Sequence, residues 1–179
     1  MVLGPKKLLQ LVKKIKLVEN LSERELTNPE GAGFDLRLDE VYKVSGKSFL
    51  GITERHTADI ELVAKYDEKK VSSITIKPGD FFLVKTIETV NIPEDLTASI
   101  TPRSTTYRSG LFFRTGNCPP GYCGGLTFGL KNEGPVAVII ELGARIVHIQ
   151  FHEVLGGGNM YRGQWQGGRV STTKKEKQV

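Results

Sequence analysis

Leu8, Leu11, Val12 and Ile15 recur at i, i+3, i+4 and i+7, with lysines filling the gaps, which predicts an N-terminal helix with one apolar side. After Asn28-Pro29-Glu30-Gly31-Ala32-Gly33 the period changes. Phe34-Asp35-Leu36-Arg37-Leu38 alternates, as does Ser73-Ile74-Thr75-Ile76-Lys77, and Phe81-Phe82-Leu83-Val84 reads as a buried strand behind the turn Pro78-Gly79-Asp80. Further strands are predicted over 96–100, 125–130, 136–141 and 144–151. The charged stretch 55–70 reads as a loop or excursion. Many short strands punctuated by Gly and Pro predict a mainly β fold, a sandwich or jelly roll, behind a short helix.

Past Phe151 the pattern loosens. Gly156-Gly157-Gly158-Asn159 reads as a hinge, dividing a β domain with its helix (1–155) from a flexible C-terminal arm (156–179). The arm holds the only tryptophan, Trp165, within Tyr161-Arg162-Gly163-Gln164-Trp165-Gln166-Gly167-Gly168. It reads as a lid over a ligand or as a tail docked on the protein itself or a neighbouring subunit.

The 179 residues suffice for one domain with a real core, and 39% hydrophobic with 25% charged content is ordinary for a soluble protein. No apolar run is long enough to span a bilayer, and the N-terminus lacks the apolar centre of a signal peptide, so a cytoplasmic location is expected. The net charge of +5 comes largely from lysine clusters at the two ends, read as solvated faces, so no nucleic acid or membrane partner is expected. Cys118 and Cys123 are too few for a structural zinc site and read as free thiols. His148 and His152, four apart on a strand, lie about 13 Å from one another, too far to share a metal, and read as structural.

The strongest chemical signal is Pro102-Arg103-Ser104-Thr105-Thr106-Tyr107-Arg108-Ser109-Gly110, with two guanidiniums and five hydroxyls in nine residues. Arginine forks match phosphate oxygens, and hydroxyls add short donors. A helical turn beginning near Ser104 would turn its free N–H groups toward an anion.

Taken in order, these pieces resemble the superfamily of dUTP diphosphatases and dCTP deaminases. Ala32-Gly33-Phe34-Asp35-Leu36 resembles its first motif, and Pro102-Arg103-Ser104 with Gly110 its second. The run 116–124 with Tyr122 resembles the third, Gly143-Ala144-Arg145-Ile146 the fourth, and 161–167 the ending of the deaminases. The resemblance implies a distorted jelly-roll subunit, a homotrimer with sites between subunits, and Mg²⁺ held mainly by the triphosphate of dUTP or dCTP. It implies that Arg103, Ser104, Thr105, Arg108 and Arg145 hold phosphates and that Tyr122 stacks beneath the deoxyribose. Trp165 and Gln166 would close over the ligand. Asp35 would support the metal's water shell or the phosphate loop, with no direct metal ligand in the chain, and Asp35 and Ser104 are the candidates for catalytic roles.

Two departures set limits on the chemistry. The Asp that activates water in the diphosphatases falls on Pro119, and the Glu that moves protons in the deaminases falls on Gly129. Neither side chain can accept a proton, and positions 112–132 contain no Asp or Glu. The motifs place dUTP hydrolysis first, dCTP deamination as an alternative, and a catalytically silent nucleotide-binding homologue as another.

Overall fold

Strand alternation becomes one nine-stranded sheet curled into a half-barrel, and what curls it is a strand that belongs to both halves. The computed structural model describes residues 1–172 and 174–177. In chain order the elements are α1 (Pro5–Ile15), β1 (Val18–Glu19), α2 (Glu23–Thr27), β2 (Phe34–Ser45), β3 (Phe49–Leu50), β4 (Glu54–His56), β5 (Asp59–Lys65), β6 (Ser73–Ile76), β7 (Phe81–Asn91) and β8 (Leu96–Pro102). There follow α3 (Ser104–Arg108), β9 (Leu111–Arg114), β10 (Asn117–Cys118), β11 (Cys123–Asn132), β12 (Val138–Glu141), β13 (Arg145–Glu153) and β14 (Glu176–Lys177). The main order is β10-β8-β13-β2-β7-β11-β9, with β5 added to β2 and β1 to β7; β12 pairs with β6, and β14-β4-β3 form a third, small sheet.

The first residues of β2 pair with β13 (Phe34 with Ile149, Asp35 with His148), and its later ones pair with β7 (Val41 with Val84, Tyr42 with Leu83). Register shifts fall between Leu38 and Glu40 on β2 and between Arg145 and Val147 on β13. Such irregularities sharpen local twist and let a strand turn from one sheet plane into another. Phe34, Leu36 and Leu38 are fully buried, as are Val84, Leu130, Ile149 and Phe151 on neighbouring strands, so the alternation points its apolar side into the curl. The expected jelly-roll-like, mainly β fold is the one observed.

Helix α1 packs on this body through Leu8, Leu9, Leu11 and Val12, and Leu3 donates its N–H to Phe151 O at 2.9 Å. Among the described residues no helix is long and apolar enough to cross a membrane. The reading of 55–70 as a loop requires correction: β5 pairs along the outer side of β2, Leu62 opposite Tyr42 and Glu61 opposite Lys43. An edge strand open to solvent has little contrast between its faces, and charged residues blunt such edges, so the alternation is too weak to read.

Residues 173, 178 and 179 of the expected arm lie outside the described residues. The rest of the arm is docked on its own chain. Tyr161 N–H donates to Pro120 O at 2.7 Å, Gly167 N–H to Cys123 O at 2.8 Å, and β14 pairs with β4. Gly124 has φ +135° and lies against the backbone of Gly167 and Gly168, where a Cβ has no room, so arm and hairpin meet backbone to backbone.

Candidate functional site

Strand register assembles the first group. Thr101 on β8 pairs with His148 on β13, which pairs with Asp35 on β2, so the three form a row on one face of the sheet. Arg103 follows β8 directly and is tied to β13 by its N–H bond to Ile146 O at 3.1 Å, while the bulge at Arg145 turns that side chain toward the same spot. Asp35, only 3% exposed, is the hub. Its Oδ2 receives Arg145 Nη1 at 2.9 Å, a close contact from Arg103 Nη1 and Arg24 Nη1 at 3.7 Å, and its Oδ1 meets His148 Nδ1 at 2.9 Å. Glu25, fully buried on α2, accepts the Asp35 N–H at 3.0 Å and pairs with Arg24, which also reaches Glu30 at 2.8 Å. A cavity of about 300 Å³ opens here, lined by Glu30, Asp35, Thr101, Arg103, Ser104 and His148. Its formal charges nearly balance, so an anion would be held by directed N–H and O–H donors rather than by net potential.

An ionised carboxylate only accepts, so His148 carries a proton on Nδ1. Burial, reinforced by the Arg103 charge, holds its pKa below the ordinary 6.5, against the raising influence of Glu25 and Glu30. Because the unfolded chain then takes up this proton first, His148 contributes stability that is complete above pH 6.5 and is lost as pH falls below it. Urea unfolding at pH 7.5 and 5.0 is expected to show His148→Gln losing less stability on acidification than the wild type; equal losses would mean that His148 does not titrate in this window.

The second group surrounds a larger cavity of about 560 Å³. The hairpin from β10 to β11 turns through Pro119-Pro120-Gly121-Tyr122. It is pinned by Gly121 N–H to Ile92 O and Ile92 N–H to Tyr122 O, both at 2.9 Å. Tyr122 is buried and donates its hydroxyl to Gly125 O at 2.7 Å, and burial pushes its pKa up, so it stays a neutral platform. Tyr161 meets it edge-on at 5.5 Å between ring centroids. Trp165 lines the cavity beside them. Gln166 clamps the hairpin, accepting Cys123 N–H at 3.1 Å and donating to Gly121 O at 2.9 Å. Leu83, Ile100, Leu126 and Phe128 make the walls apolar; Arg169, held by Glu176 at 2.7 Å, is the one charged residue of the lining among the described residues. Both cysteines are free, and burial pushes the Cys118 thiol up to about 12, so this wall of the cavity is chemically inert at neutral pH.

The residues singled out in the sequence thus fall into two sets. Asp35, Arg103, Ser104 and Arg145 gather at the smaller cavity; Tyr122, Trp165 and Gln166 gather at the larger. Thr105 and Arg108 lie exposed on α3, which does begin at Ser104, and Arg108 makes no ion pair among the described residues. Ile100 lines one cavity and Thr101 the other, and successive strand residues point to opposite faces, so the two sets lie on opposite sides of β8. His148, read from the sequence as structural, belongs to the Asp35 cluster; His152 is structural, bonded to Ser99 Oγ at 2.8 Å. Magnesium finds no direct ligand set, since no three acidic, His or Cys side chains are placed to hold a metal ion among the described residues. Three guanidiniums around Asp35 also make it a poor seat for a dication's water shell.

Pro119 lines the larger cavity, while Gly129 stands on β11 between Leu83 on β7 and Arg114 on β9. No Asp or Glu lines this cavity among the described residues.

Residues 2–154 match the family model described as dCTP deaminase-like. The chain is 31% identical over 159 residues to a protein of Dictyoglomus turgidum named dCTP deaminase, dUMP-forming, covering 86% of this chain and 81% of that one. It is 31% identical over 167 residues to a dCTP deaminase of Thermococcus kodakarensis (93% and 95% covered). It is also 32% identical over 142 residues to a probable deoxyuridine 5'-triphosphate nucleotidohydrolase of Methanothermobacter thermautotrophicus (79% and 89% covered). In fold it superposes on the 2'-deoxycytidine 5'-triphosphate deaminase of Agrobacterium tumefaciens with a TM-score of 0.65 at 19% identity, over 84% of this chain and 47% of that one. With a curled β half-barrel, five motifs in order and a family match over 2–154, this chain belongs to the dCTP deaminase-like family.

Proposed function

We propose that this chain binds dCTP, on the deaminase branch of its family, and lacks the carboxylate that would move protons during deamination. The observation that carries this reading is the larger cavity: two aromatic platforms, Tyr122 and Trp165, around apolar space with no carboxylate in its lining. Apolar pockets with a few placed polar groups suit a flat base and sugar. dUTP hydrolysis, placed first on motifs, takes second place because relatives named dCTP deaminase predominate. It keeps support from the Methanothermobacter relative, so dUTP is the competing ligand.

In this reading the sugar lies on Tyr122 and Trp165 covers the base. Asp35 orients Arg103 and Arg145, whose remaining N–H donors, with Ser104, take phosphate oxygens. Thr105 and Arg108 join them from α3. Because the two sets of residues lie on opposite sides of β8, a complete site takes one set from each of two copies, which supports assembly of copies, a homotrimer in this reading. Any Mg²⁺ rides on the triphosphate itself.

The test titrates dCTP or dUTP, with Mg²⁺, into the protein while Trp165 emission, ammonia and pyrophosphate are followed. A saturable response to dCTP, weaker with dUTP, with both products at blank level is expected. Silence of Trp165 with both nucleotides overturns the reading. Pyrophosphate from dUTP would favour hydrolysis, and ammonia from dCTP would mean that a carboxylate outside the cavity lining does the missing work.

A further inference from the structure

Almost every buried polar side-chain atom among the described residues has a hydrogen-bond partner. The exceptions are His56 Nδ1 and Thr127 Oγ1. Native interiors rarely leave such atoms alone, since an unpaired buried hydroxyl is costly, so each one calls for a reason. His56 is on the small β3–β4 sheet, stacked on Phe49 at 6.3 Å. Thr127 lines the larger cavity.

The surroundings of Thr127 explain why its hydroxyl is alone. It stands on β11 between Leu126 and Phe128, which are more deeply buried and line the same cavity. Its cross-strand neighbour is Lys85. Lys85 extends toward Glu40, at 3.9 Å, where Lys65 also binds at 2.7 Å. The register shift beside Thr127 leaves Leu126 out of the ladder, its N–H going to Thr86 Oγ1 at 3.1 Å, so that hydroxyl is also taken. What remains beside the residue is the cavity, and rotation about χ1 exchanges the methyl and hydroxyl with almost no change of volume.

We propose that Thr127 is a specificity-determining residue whose hydroxyl hydrogen-bonds the polar edge of the pyrimidine base. A hydroxyl both donates and accepts, so it can donate to a ring carbonyl or ring nitrogen or accept from an exocyclic amine. The apolar residues around it, Leu83, Leu126 and Phe128, suit a flat ring rather than a phosphate or an open sugar edge. The hydroxyl is left unpaired in the free protein because the ligand completes it, and a ligand lacking a polar edge would leave it unpaired in the complex as well. This assignment rests on the dCTP-binding reading above.

Thr127→Val keeps the shape and removes the hydroxyl; Thr127→Ser keeps the hydroxyl and removes the methyl. Dissociation constants for dCTP and for tripolyphosphate, a probe with no base, would be measured on both variants beside the wild type, with melting of the free proteins. Thr127→Val is expected to bind dCTP about tenfold more weakly, as one lost hydrogen bond implies. Tripolyphosphate binding should be unchanged, and the free valine variant should melt at or above the wild-type temperature, having lost an unpaired polar atom. Thr127→Ser should bind dCTP within about twofold of wild type. Equal dCTP affinity in Thr127→Val, or a lower melting temperature for it, overturns the assignment, the second because it would mean the hydroxyl is already satisfied. If the wild type itself binds no pyrimidine nucleotide, the functional reading fails before any variant is compared, and the role of Thr127 fails with it.

Discussion

Asp35→Asn is expected to cost about 3 kcal/mol of folding stability, the low end of what removing one partner from a buried ion cluster does. The carboxylate is 3% exposed and receives Arg103, Arg145, Arg24 and His148. Asparagine fills the same space with one acceptor oxygen and an NH₂ that turns donors toward donors. Guanidiniums cannot shed their protons, so three positive charges would remain within a few ångströms of one another without their common counter-ion. They are 26–39% exposed, and water will screen part of that repulsion, which is why the lower figure applies. For a chain of this length the loss corresponds to a fall in melting temperature of roughly 6–12 °C. Thermal melts at pH 7.5 would read it. A change under about 1 kcal/mol would mean that the arginines hold their places through α2 and β13 without Asp35. The same geometry bears on catalysis: a carboxylate already bound by this many cations is a poor base, so Asp35 is expected to position Arg103 and Arg145 rather than to take a proton.

Where one side of a strand meets the core and the other does not, the sequence was readable. Phe34, Leu36 and Leu38, and Ile149 and Phe151 on β13, alternate cleanly because burial on one side demands it. β5 was not readable, since it lies along the outside of β2 with Leu62 about half exposed. Helix α2 was missed because five residues with Glu23, Arg24 and Glu25 carry no apolar repeat, and Glu25 is buried through ion pairs rather than through hydrophobicity. The residues of the candidate site were found as motifs, but their division between two cavities was not. That division depends on register, Asp35 against His148 and Thr101 against His148, and on a bulge at Arg145 that no local pattern announces. His148 was read as structural for the same reason: its partner Asp35 is 113 residues away. Thr127 could not have been picked out at all, because what marks it is the lack of a partner in the folded chain.

Gly129→Glu is expected to raise ammonia release from dCTP by a factor of about 10² or more over the background rate of the wild type, the usual contribution of a placed general acid–base group. The position can accept the side chain. Gly129 is in the middle of β11, where a residue with a Cβ is ordinarily better than glycine, and its backbone is not in the left-handed region. A Cβ there would meet the ring of Phe81 at 3.1 and 3.2 Å and Arg114 Cβ at 3.5 Å. Phe81 is 45% exposed, so its ring can swing into solvent, and the backbone need not move. The new carboxylate would share a face of β11 with Thr127, two residues along, and so stand beside the base-sized end of the larger cavity. Arg114, directly opposite, would favour its ionised form and weaken it as a base, so Gly129→Glu combined with Arg114→Gln should release ammonia faster than Gly129→Glu alone. Gly129→Gln is the control: the same bulk with nothing to titrate. If it matches Gly129→Glu, the gain comes from filling the groove and owes nothing to proton transfer. If Gly129→Glu binds dCTP as the wild type does and still releases no ammonia, the chain lacks more of a deaminase than one carboxylate.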